Sequence, residues 1–261
     1  MTFFEHLEAL RWHLIRSVIA IFIGAIIAFA NGNFIFDTIL LGPTQTDFWT
    51  YQRICDLSHW LYGADKICVQ ELQFSVQNLA LTGQFFQHIL ISFMGGTAIA
   101  LPYILYEVYR FVKPALKNSE RKYSGLAIGS GSLLFFFGLL FGYFVIVPIS
   151  INFLGNYTLS NVIENKFTVE SIVKFVAMLS MGAGIMFELP LVIYFLAKAG
   201  LVGPAVLKKY RKIALVVILA ISAIVTPPDI ASQIILSVPI FMLYELGIFI
   251  AKKVEKNYDK D

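Results

Sequence analysis

At 261 residues the chain is long enough for one or two soluble domains, but its composition excludes them. Charged residues are 14% of the total, the AVILMFWYC class is 58%, and mean hydropathy is +0.75, whereas soluble domains carry about a quarter charged residues. Lipid is the solvent that suits such a chain, so the sequence reads as an all-α, polytopic membrane protein, one integral domain over 1–261. No basic stretch forms an aromatic-lined groove, which excludes nucleic acid as a partner.

Taken in order, residues 3–14 are amphipathic at helical spacing. Phe3, Leu7, Leu10 and Leu14 form a stripe, and Glu5, Glu8, His13 and Arg16 are polar. This predicts an interfacial helix leading into the first span. Six spans follow at 17–36, 89–109, 125–147, 172–197, 213–225 and 234–251. The third is expected to end at Pro148, and the fourth to kink at Pro190. The fifth and sixth are short: thirteen residues rise only about 20 Å, against about 30 Å of hydrocarbon. Span five therefore implies local thinning or a re-entrant hairpin turned by Thr226-Pro227-Pro228-Asp229.

Sixteen of the twenty Lys and Arg residues fall in the N-terminal segment, in 110–122, in 198–212 and in the tail. That alternation places both termini in the cytoplasm. Ala28-Phe29-Ala30 resembles a signal-peptidase site, but Glu5 and Glu8 in front of it and the apolar Phe34-Ile35-Phe36 behind it argue against cleavage. Cys55 and Cys68, the only cysteines, then lie outside the cytoplasm in the long connection 37–88, where a disulfide between them is expected.

There is no HExxH, GxSxG, P-loop or paired-Cys metal pattern. The expectation is no enzyme, no catalytic or metal site and no cofactor. Gly95-Gly96 and Gly129-Ser130-Gly131-Ser132 read as positions of close helix packing. The informative residues are acids placed where lipid makes them costly. Glu188 lies deep in the fourth span and Glu245 in the sixth; such acids face a cavity or a polar partner. Glu120 is the one acid among the five bases of 110–122.

At these positions the sequence resembles the TatC family, the multispanning core subunits of the twin-arginine protein translocase. The matching pieces are His6-Leu7-Glu8-Ala9-Leu10-Arg11, the run Phe111 to Arg121 containing Lys113-Pro114-Ala115-Leu116, Phe187-Glu188-Leu189-Pro190, and Thr226-Pro227-Pro228-Asp229 followed by Ser232-Gln233. The resemblance implies a receptor in the bacterial inner membrane for signal peptides bearing paired arginines, moving folded proteins by the proton-motive force. Its implied partners are single-span TatA/TatB-type subunits, lipid and further copies of itself. It implies peptide binding at Glu120, Phe111 and Pro114, beside which Arg121 and Glu8 are further candidates. It also implies an intramembrane polar contact at Glu188, with Glu245 and Gln233 as further candidates, and far-side roles for Asp229 and Pro43. One departure stands out: the family's HLxELR pattern puts an acid at position 9, where this chain has Ala9 and carries Glu8 instead. The competing reading is a proton- or ion-coupled secondary transporter with Glu188 as its ion site.

Overall fold

The computed structural model describes residues 3–62, 68, 74–112, 124–160, 165–226 and 230–258. Among the described residues, five stretches are long and apolar enough to cross a membrane: Glu8–Ala30, Gly83–Val112, Ile128–Asn156, Val169–Lys198 and Ser232–Lys256. The first lies within α1 (Phe3–Ala30), so the amphipathic segment and the first span form one continuous helix. The α-helix stops short of the expected residue 36. At its end the Asn31 amide donates to the Ile27 carbonyl, and the chain continues as a π-helical turn over Phe34–Leu40. A short helix, α2 (Trp49–Tyr62), and a strand, β1 (Phe74–Gln77), follow.

α3 (Gly83–Val112) begins six residues before the expected span, because polar Gln84 and Gln87 are helical too. The third crossing does not end at Pro148. It runs from α4 (Ser124–Phe141) through a π-helical turn at Gly142–Ile146 into α5 (Val147–Asn156). Pro148 lies in the first turn of α5, where a missing N–H is tolerated. Strand β2 (Asn165–Thr168) pairs in parallel with β1, adding a two-stranded sheet to an otherwise helical chain.

The fourth crossing is split into α6 (Val169–Phe187) and α7 (Leu189–Lys198), and Glu188 is the joint. Pro190 sits in the first turn of α7, as its ring requires. After α8 (Pro204–Lys209), α9 (Arg211–Val225) is fifteen residues long, about 22 Å. The expectation of a short final span does not hold: α10 (Ile230–Tyr258) has twenty-nine residues. The helix continues past Ala251 with Val254 buried in the core and Lys252, Lys253 and Lys256 exposed on its other faces.

α1 packs along α3 through two glycines. A Cβ on Gly24 would stand 2.7 Å from the Gly96 carbonyl oxygen, so the backbones touch only because side chains are absent. Of the other small-residue stretch, Gly131 is a close contact whereas Gly129 faces open space. The core, including Val147, Val173, Val176, Leu179, Leu236 and Ile240, lies where α5, α6 and α10 meet. A cap built from the 34–44 turns, α2 and the sheet covers that end. Cys55 on α2 is bonded to Cys68, with Cα atoms 4.5 Å apart. Thiol labelling of unreduced protein should find no reactive cysteine, and Cys55→Ser should cost about 3 kcal/mol in the chain-entropy description of a loop this size. Two labelled cysteines would contradict the bond.

Candidate functional site

Two clusters of polar groups stand out. The first surrounds Glu188. Ending α6 at Phe187 turns this residue inward, where it is 9% exposed and neither carboxylate oxygen has a hydrogen-bond partner among the described residues. Gly131 of α4 makes the room: a Cβ there would come within 3.2 Å of the carboxylate. Beside it runs an open groove of about 740 Å³ between α4, α7 and α10, lined by Leu134, Pro190, Leu191, Tyr194, Leu246 and Ile250. Lys198 and Lys253 also line it, so an apolar trough carries cations along with a buried acid.

Glu245 and Gln233 do not join this groove. The Glu245 carboxylate binds the Arg211 guanidinium at the start of α9, leaving its other oxygen buried without a partner. Gln233 donates from Nε2 to the Leu219 carbonyl at 3.1 Å, tying α10 to α9. Pro43 is fully buried in the cap, and its carbonyl accepts from the Tyr51 hydroxyl at 2.9 Å. Its place is thus structural. Glu120, Arg121, Pro114 and Asp229 lie outside the described residues. Glu8 is exposed on α1, and Phe111 meets the His13 ring edge-on at 6.1 Å between centroids.

The second cluster was not foreseen from the sequence. Glu107, near the end of α3, is fully buried, and both its oxygens are hydrogen-bonded. One oxygen meets His13 Nδ1 of α1 at 2.5 Å; the other accepts from the Tyr103 hydroxyl at 2.9 Å and from Arg110 at 3.4 Å. The Arg16 guanidinium stands 3.9 Å from the first oxygen. Two signals pointed here: an acid three residues before Arg110, inside the 89–109 span, and a histidine on α1 with no stated partner.

Cys55, His59 and Cys68 bring three ligand atoms within 4.8 Å of one another, but the disulfide leaves no thiolate to hold a metal.

A family model described as Sec-independent protein translocase protein (TatC) matches residues 5–239. The Sec-independent protein translocase protein TatC of Blattabacterium sp. subsp. Periplaneta americana is 39% identical over 98% of this chain and 97% of its own length. That of Aquifex aeolicus is 34% identical over 95% and 93%. A crystal structure of a twin-arginine translocase receptor, TatC, superposes with TM-score 0.73 at 33% identity, covering 96% of this chain and 99% of that one.

With its long apolar helices, the family match and these relatives make this a multi-pass protein of the bacterial inner membrane and a component of a protein-transport machine, not an enzyme. The chain belongs to the TatC family and is a core subunit of the Sec-independent, twin-arginine translocase.

Glu107→Ala should destabilise the protein by about 1–3 kcal/mol, because it leaves the His13 and Tyr103 donors without their acceptor. Exposed Glu8→Ala should change stability by less than about 0.5 kcal/mol. Thermal melting of the purified protein in detergent compares the two.

Proposed function

We propose that this chain is a receptor for twin-arginine signal peptides, with both termini cytoplasmic and six crossings, α9 being the short fifth. The observation that carries the reading is the Glu188 trough: an open apolar groove with a buried, unpartnered carboxylate beside it. A soluble substrate has no use for such a surface. An apolar peptide segment, or the helix of a single-span TatA/TatB-type subunit, can lay its side chains there and offer a polar atom to Glu188.

The paired arginines need carboxylates at the membrane surface, since guanidinium binds carboxylate bidentately and never loses its charge. Glu120 is the principal acid in this proposal, and Phe111, Pro114 and Arg121 shape the surrounding surface. Position 9 is a vacated second site. One helical step rotates a side chain by about 100°, so Glu8 does not stand where an acid at position 9 would. Cargo movement draws on the proton-motive force, and several copies work within a larger complex.

Purified protein should bind a twin-arginine peptide and lose it when both arginines become lysines. Glu120→Ala should weaken binding about tenfold, since one charge-assisted bond is worth about 1.5–3 kcal/mol. Unchanged binding in a folded variant would remove Glu120 from the site.

Ala9→Glu should tighten the same complex, and Glu8→Ala should matter less than Glu120→Ala. If Glu8→Ala abolishes binding while Ala9→Glu changes nothing, Glu8 holds the arginine and position 9 is not a vacated site.

A further inference from the structure

The seam between α1 and α3 carries a second groove, separate from the Glu188 trough. It has a volume of about 340 Å³ and is lined by Ile19, Ala20, Ile23, Gly24, Ile27 and Ile99, with Arg16 and Tyr103 at one end. Its origin is local. Gly24 and Gly96 bring the two backbones into contact, so the surface beside them is concave where side chains would have filled it. Walls of Ile and Ala give it no polar group along its length.

Charge marks its mouth. Glu107 supplies one carboxylate to the cluster there, while Arg16 and Arg110 supply two guanidiniums, so positive charge is in excess among the described residues of the cluster. Both arginine side chains are 43% exposed, within reach of a ligand from outside. Arg16 also directly precedes the apolar run 17–36, which sets it at the level of lipid headgroups.

Length decides what fits. From Arg16 to Ile27 is eleven residues, about 16 Å of helix, which is close to the hydrocarbon depth of one leaflet, about 15 Å. A partner helix crossing the membrane would need a groove through both leaflets. We propose that the α1–α3 groove is a binding site for one anionic phospholipid, its acyl chain against Ile19, Ala20, Ile23 and Ile27 and its phosphate on Arg16, with Arg110 adding to the positive potential. The site ties membrane composition to the seam that Glu107 and His13 hold together.

Native mass spectrometry of the purified protein reads this directly, with phosphatidylglycerol and phosphatidylcholine as probes. The wild-type protein should retain phosphatidylglycerol in preference to phosphatidylcholine. Arg16→Gln should reduce that preference about fivefold, the value of one basic residue at an anionic surface, and Arg16→Lys should keep it. Ala20→Phe, which fills the groove, should lower retention of phosphatidylglycerol with Arg16 intact. Glycerophosphoglycerol, the headgroup without chains, should not compete. Equal retention of the two lipids, competition by the bare headgroup, or no effect of either Arg16→Gln or Ala20→Phe would overturn the proposal. A photoreactive residue in place of Ile23 adds an independent reading: capture of phospholipid supports the site, and capture of a second polypeptide assigns the groove to a helix and overturns it.

Discussion

In hydrocarbon a backbone N–H or C=O without a partner costs several kcal/mol, and the architecture follows from where this chain breaks that rule. Pro148 has no N–H, so the Phe144 carbonyl, four residues earlier, loses its helical donor. The Thr50 hydroxyl supplies the bond instead, at 2.5 Å. The neighbouring Tyr51 hydroxyl lies 2.9 Å from the Pro43 carbonyl and 3.1 Å from that of Pro148. The long connection between α1 and α3 thus becomes part of the membrane domain: α2 serves carbonyls that the third crossing cannot satisfy alone. The disulfide from α2 to Cys68 holds that cap on a helix only fourteen residues long.

Three of the acids within the crossings show three degrees of neutralisation. Glu107 has donors on both oxygens, from His13, Tyr103 and Arg110, which offset the cost of its burial. Glu245 is half satisfied, one oxygen on Arg211 and the other buried alone. Glu188 has no partner for either oxygen. Packing alone does not explain keeping such a group, since an apolar residue of that size would fill the bend at lower cost. Its place beside an open trough, at the joint of α6 and α7, makes it the acid of the three with capacity left for another molecule.

Hydropathy made the crossings legible because lipid imposes one rule on every spanning segment, and that rule is written in composition. The boundaries were harder to read. Helices do not stop where apolar character stops, so α3 began early and α10 ran on through Lys252 and Lys256. Pro148 looked like a stop because proline breaks a helix interior; a π-helical turn before it made the position a helix start instead. Glu188 was legible alone, since depth in a span is a property of the sequence. Glu107 was not: its meaning rests on His13, ninety-four residues away, and only the packing of α1 on α3 brings them together.

That packing also fixes what the N-terminal motif presents. His13 stands one turn after Ala9, so the two share a face of α1, and His13 is bonded to Glu107. Ala9 is half-buried while Glu8 is exposed, which turns position 9 toward the α3 seam and position 8 toward the surroundings. An acid at position 9 would therefore stand beside a cluster that already holds Glu107 with Arg16 and Arg110. With alanine there, the seam's buried carboxylate comes from α3 alone. Both arginine side chains stay half exposed, so among the described residues this corner sets two guanidiniums against the single carboxylate of Glu107.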